Sequence, residues 1–177
     1  NSGKIKLYKY TPEGKVYIVR IAGAGELLGY RAFFTNESYS ATAEVLEDAY
    51  ICFLDRNNFF GLLKRYPNLY LHLLEKLGKD LRCAEDRARD LAYKSSQERI
   101  VELLFMLKEA YGISQANGSV LLNITLSREE IASMIGTTTE TVVRLLTWLK
   151  KKGFIKTERK KLFLIQLEQL AELIPNY

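Results

Sequence analysis

Hydrophobic and polar positions alternate along the first third of the chain and change to a helical period near Asn57. KIKLYKY (4–10) and VYIVRI (16–21) alternate on either side of Pro12-Glu13-Gly14-Lys15, which predicts a hairpin, because successive strand side chains point to opposite faces. SATAEV (40–45) and AYICFLD (49–55) are two more strand-like runs. Tight glycine turns between short strands predict a small antiparallel barrel or jelly roll. Within it, LLGYRAFFTNESYSATAEV (27–45) predicts a strand, a one-turn helix and a second strand. A short helix start of this kind can hold an anion, yet Tyr30 and Tyr39, its most conspicuous positions, carry no charge.

After Asn57 and Asn58, the expected caps of FFGLLKRY (59–66), Pro67 breaks the chain and opens a long helix over about 68–93. Its apolar positions Leu69, Leu73, Leu77, Leu81, Ala84, Ala88 and Leu91 recur every three or four residues among charged neighbours. Such a stripe must be buried. It packs either on the chain's own β-domain or on a second copy as a coiled coil, and the small alanines favour the second copy. Ser95 and Glu98 form a capping box for ERIVELLFMLKEAYG (98–112), so Lys94–Ser96 is a candidate hinge. ISQANGS (113–119) predicts a loop and VLLNITL (120–126) a strand.

The most informative segment follows. Ser127 and Glu130 form another capping box, Ile131, Met134 and Ile135 an apolar face, and Ala132 leaves room for a crossing helix. Gly136 ends that helix, and Thr138 caps a second one with Val142, Leu145, Leu146 and Leu149 inward. Thr139, Glu140, Val143, Arg144 and Thr147 then face outward, the pattern of a helix-turn-helix whose second helix enters the major groove. Glu140 and Arg144 lie together, four residues apart. They form either an ordinary surface ion pair or a base-reading pair, with Arg144 donating to guanine and Glu140 accepting from cytosine; their place just after the turn favours base reading.

The wing comes next. FIKTE (154–158) and KLFLI (161–165) are strand-like around a basic turn, and LEQLAELI (167–174) predicts a closing helix. Lys150, Lys151, Lys152, Lys156, Arg159, Lys160 and Lys161 crowd positive charge beside the helix-turn-helix. Phosphate contact is favoured over a merely solvated face, with Ser127, Thr138, Thr147, Lys150, Arg159, Lys160 and Lys161 as the candidate phosphate contacts. The net charge of +5 agrees with an acidic partner.

Composition excludes several classes. Two cysteines and one histidine do not make a disulfide framework or a His-rich metal site. No run approaches the ~18 apolar residues of a membrane span, no signal peptide is visible, and the cytoplasm is the expected compartment. No phosphate loop, nucleophile elbow or paired catalytic histidine points to an enzyme. The chain opens on Asn1, directly in strand-like sequence, and a preceding segment is expected.

Taken in order, a β-roll, a long helix and a winged helix-turn-helix resemble the CRP/FNR family of bacterial transcription regulators. The resemblance covers almost the whole chain, on GELLGYRAFF (25–34), SYSATAEV (38–45), the long helix, and LSREEIASMIGTTTETVVRLLTWLKKKGFI (126–155). It implies an α+β chain with a partial β-roll sensor domain over 1–66, a dimerisation helix over 67–94 and a DNA-binding domain over 95–177. It implies a homodimer on a palindromic operator, DNA contact at Glu140 and Arg144, and RNA polymerase as a further partner. Members resembling the cyclic-AMP receptor carry an Arg where this chain has Thr139, so a different operator is expected. Cyclic-AMP-binding members also carry a Glu and an Arg where this chain has Tyr30 and Tyr39. The resemblance therefore implies an effector pocket at Gly29, Tyr30, Arg31, Tyr39 and Ser40 for an unidentified effector other than cyclic AMP. The tyrosines either line that pocket or fill it. Haem, through His72 or Cys52, and an iron–sulfur cluster are unsupported alternatives; Cys83 is expected as a buried, inert thiol. The competing function is a ligand-binding signalling module that acts through protein partners without reading DNA sequence.

Overall fold

The computed structural model describes residues 2–174, which fall into two compact units, Asn1–Arg89 and Asp90–Tyr177. In the first unit β1 (Lys4–Tyr10) is the central strand of a three-stranded antiparallel sheet, between β2 (Val16–Ala22) and β3 (Thr42–Glu47). The expected hairpin is present. Thr11 N–H donates to Lys15 O, and Gly14 supplies the left-handed residue at φ 77°.

Three local expectations change here. Leu27 and Leu28 form no strand, and α1 (Tyr30–Thr35) starts directly after Gly29. AYICFLD also forms no strand. Tyr50 N–H bonds Ser2 O, but no ladder follows among the described residues, and Tyr50 and Phe53 are exposed. Alternation alone does not make a strand without a partner edge. The cap of α2 (Arg56–Arg65) is Asp55, whose carboxylate accepts from Asn58 N–H at 3.0 Å; Asn57 and Asn58 lie inside the first turn. A carboxylate satisfies that free donor better than an amide would, because the helix start is positive.

The long helix α3 (Asn68–Tyr93) occupies the expected range, but its faces are divided differently. Leu73 is buried with Tyr30, Phe59 and Leu63, and Leu77 packs on the same cluster. Leu73 therefore belongs to its own unit's core and is removed from the expected dimer seam. Leu69, one turn earlier, stays 37% exposed. The apolar positions left outward include Tyr70, Leu74 and Leu81, with Leu74 and Leu81 62% and 61% exposed. Tyr70, Leu74, Leu77, Leu81, Ala84, Ala88 and Leu91 alternate steps of four and three, a heptad pattern.

In the second unit α4 (Ser96–Tyr111) begins with the expected Ser95–Glu98 capping box. ISQANGS is not wholly a loop. Its first residues belong to β4 (Gly112–Ser114), which pairs with β5 (Val120–Leu122) because the chain turns back at Gly118. The four-stranded antiparallel sheet runs β4-β5-β7-β6 and includes the wing strands β6 (Ile155–Glu158) and β7 (Lys161–Leu164). The short helix α7 (Leu167–Ala171) buries Leu170.

Between these lie α5 (Arg128–Ile135) and α6 (Thr139–Lys151). Val142 and Leu149 are 0% exposed and Leu146 4%. Each such burial contributes roughly 1.5–3 kcal/mol. Replacing Leu149 with Ala is predicted to destabilise the second unit by ~2–5 kcal/mol through the cavity it leaves. Denaturant unfolding followed by Trp148 fluorescence checks this, and an unchanged midpoint would contradict the burial.

Candidate nucleic-acid interface and sensor cleft

The helix-turn-helix is built by three local devices. Ser127 accepts from Glu130 N–H while the Glu130 carboxylate accepts from Ser127 N–H, fixing the start of α5. Gly136 adopts φ 63°, and Thr137 N–H returns to Ala132 O, closing α5 in a left-handed cap. A Cβ at Gly136 would sit 2.5 Å from Leu91 Cδ2, a methyl free to turn aside, so it is the positive φ that calls for glycine here. Thr138 then accepts from Thr141 N–H at 3.3 Å and starts α6. At the far end, Gly153 N–H donates to Lys150 O and Phe154 N–H to Leu149 O, a Schellman closure that turns the chain into the wing.

With one side of α6 committed to the core, the other side is outward. Glu140, Val143, Arg144, Thr147 and Lys150 are exposed and Thr139 is half-buried. The Thr147 hydroxyl donates to Val143 O at 2.7 Å. Ser127 and Thr138 sit at the starts of α5 and α6, where unpaired N–H groups and the helix dipole favour an anion. Arg159, Lys160 and Lys161 are exposed at the wing turn, with Arg159 itself left-handed at φ 55°. Lys156 differs from the rest of the basic run, because it pairs with Glu158 at 2.6 Å.

Sequence reasoning missed the residues that anchor this unit. Arg99 Nε donates to Ile135 O at 2.8 Å, and its Nη atoms donate to Lys94 O and Gly136 O. One guanidinium thus ties the end of α3 to the turn of the helix-turn-helix. Lys94 is buried between Asp90 and Glu102. Burial alone would lower its pKa, but the bonds to the two carboxylates outweigh it and hold the ammonium above its ordinary range. The Lys94–Ser96 join is therefore well bonded, and the boundary of the two units falls about a helical turn earlier, between Arg89 and Asp90.

In the first unit the five expected pocket residues converge. Gly29, Tyr30, Arg31, Tyr39 and Ser40 border one cleft of about 260 Å³, together with Lys9 and Arg20. Gly29, Tyr30 and Tyr39 also border a larger, mostly apolar cavity of about 470 Å³ that includes Phe33 and Cys52. The tyrosines differ in kind: Tyr30 is 3% exposed and Tyr39 64%. Tyr30 fills the core and donates to Asp80 at 2.9 Å, while the Tyr39 ring lies over Gly29. Arg31 lies on α1 and pairs with Asp80 at 3.0 Å; Arg20 pairs with Glu26 at 2.6 Å. Asp80 had a sequence signal: an acidic residue seven after Leu73, on the apolar stripe. Cys83 is exposed rather than buried, as is Cys52, and His72 is exposed beside Glu75.

A helix-turn-helix followed by a two-stranded wing in the second unit defines the class of DNA-binding regulators. Similarity to known proteins agrees. Residues 1–66 match the cyclic nucleotide-binding domain model and residues 98–173 the Crp-like helix-turn-helix domain model. A probable transcriptional activator of Rhizobium leguminosarum bv. viciae is 30% identical over 173 residues, 97% of this chain and 70% of the relative. The anaerobic regulatory protein of Bacillus subtilis is 29% identical over 158 residues, 89% of this chain and 66% of the relative. A solved structure of a CooA mutant from Carboxydothermus hydrogenoformans superposes with a TM-score of 0.79 at 28% identity, over 97% of this chain and 75% of that one. The chain belongs to the CRP/FNR family of transcription regulators and carries that family's DNA-binding domain. It spans about two thirds to three quarters of the length of these relatives.

The Asp80 cluster makes a pH prediction. Burial pushes the Asp80 carboxyl up, but the Tyr30 hydroxyl and the Lys76 ammonium outweigh it and hold the group below its ordinary value. A depressed folded pKa stabilises the fold above the unfolded value of about 3.9, and the contribution is lost as pH falls through the folded value. Asp80→Asn is predicted to flatten the loss of thermal stability below about pH 4. Melting curves across that range check it, and parallel acid limbs for the two proteins would contradict the assignment.

Proposed function

We propose that two copies of this chain pair along α3 and place their α6 helices in successive major grooves of a palindromic operator, with half-sites ~34 Å apart. One observation carries the proposal: Glu140, Val143, Arg144 and Thr147 are exposed while Val142, Leu146 and Leu149 are buried on the other side of α6, with half-buried Thr139 at the edge between them. Arg144 donates to guanine and Glu140 accepts from cytosine, while Thr139 and Val143 contact neighbouring bases. Ser127, Thr138, Lys150, Arg159, Lys160 and Lys161 contact phosphates and set the register, and Thr147, whose hydroxyl donates to Val143 O, packs its methyl against the DNA backbone beside them. The pairing surface is the heptad Tyr70, Leu74, Leu77, Leu81, Ala84, Ala88 and Leu91, in which Leu77 is half-buried against its own unit's core.

Residues 1–66 act as the sensor, 67–94 as the pairing helix and 95–177 as the DNA-binding domain. The effector is a molecule other than cyclic AMP. Uncharged tyrosines stand at two cleft positions, and Arg20 and Arg31 are each engaged by a carboxylate. An effector shifts the DNA-binding state only by preferring one conformation over the other. The regulator acts in the cytoplasm on DNA and RNA polymerase and is not a catalyst. None of its helices, among the described residues, is long and apolar enough to cross a membrane.

Arg144→Ala is predicted to weaken operator binding by roughly 1–3 kcal/mol per half-site, leaving salt-sensitive binding to random duplex. Fluorescence anisotropy on both duplexes measures this, and an unchanged preference for the operator would refute base reading by Arg144. Leu81→Glu, at an exposed position, is predicted to leave the fold intact and shift sedimentation from dimer to monomer. A dimer of unchanged affinity would remove α3 as the pairing surface.

A further inference from the structure

Val143 is the outlier on the outward side of α6. It is an apolar side chain, 48% exposed, among Thr139, Glu140, Arg144, Thr147 and Lys150. At 100° per residue it falls between Thr139 and Lys150 on one flank and Glu140 and Arg144 on the other. Thr147, one turn on, donates its hydroxyl proton to Val143 O at 2.7 Å. An isopropyl group with neither donor nor acceptor, beside a hydroxyl whose proton is already engaged, therefore lies on the helix face proposed to meet the bases.

The major groove presents few partners for such a group. Guanine offers N7 and O6, adenine N7 and an amino group, and cytosine an amino group. Thymine adds the groove's apolar group, its 5-methyl. Set against the other edges, an isopropyl group displaces water from a donor or acceptor and returns no hydrogen bond, which costs free energy. Set against thymine, it buries a methyl.

We propose that Val143 makes the operator specific for a thymine, read through its 5-methyl group, next to the position read by Arg144. This rests on the base-reading role of α6 proposed above. The preference is both positive and negative: the methyl is buried at thymine, and other edges are penalised for losing water.

The test uses the full chain and duplexes enriched from a random library. Each thymine of the half-site is replaced in turn by uracil, which lacks only the methyl. In the wild-type protein one position is expected to lose roughly fourfold in affinity per half-site. Val143→Ala is expected to abolish that loss and to relax the base preference at that position alone. The substitution is safe for the fold, because the site is exposed and Ala is the better helix former. Equal tolerance of uracil at every position would overturn the proposal, as would a uracil penalty that persists in Val143→Ala. Arg144→Ala keeps the two levels apart. If it loses operator binding while uracil has no effect, only the Val143 assignment fails. If it binds the operator as wild type does, the base-reading role of α6 fails as well.

Discussion

The burial of one side of α6 is the constraint on which the outward surface of the helix-turn-helix depends. Val142 and Leu149 are fully enclosed, and Leu146 nearly so. A helix has no freedom to turn once three positions on one side are fixed in a close-packed core. The directions of Glu140, Val143 and Arg144 therefore follow from apolar residues that never meet DNA. The caps refine this placement. Thr138 sets where the helix begins, and Gly153 sets where the wing leaves it. A shift of one residue at either end would rotate every outward side chain by about 100°.

A second level of order comes from charged groups inside each unit. Arg99 joins the end of α3 to Ile135 O and Gly136 O, and Lys94 is locked between Asp90 and Glu102. In the first unit Asp80 collects Tyr30, Arg31 and Lys76. Both sets involve α3, which carries Asp80 near its middle and Asp90 near its end. Charge-assisted bonds of this kind are stronger than neutral ones and fix the geometry of the groups they join.

Much of this was legible in the sequence because the signals were local. Capping boxes, the glycine after α5 and the two-residue wing turn depend on residues a few positions apart, and all are present. What was misread depends on partners distant in the chain. AYICFLD alternates but lacks a paired edge, so pattern alone could not decide it. The stripe of α3 was read as one seam, whereas part of it packs into the core of the first unit and part stays exposed. Leu73 meets Phe59 and Leu63, while Leu74 stays outward. Spacing could not divide them, because Leu77 fits both stripes. Likewise, Tyr30 and Tyr39 looked equivalent, and only the Asp80 partner fifty residues away shows that one is a core residue.

The most direct test of a twofold, base-reading regulator is selection from a random duplex library with the full chain at physiological salt. The account predicts enrichment of an inverted repeat whose half-sites lie about one helical turn apart. Recovery of duplexes with no common sequence, bound only through salt-sensitive contacts, would contradict it.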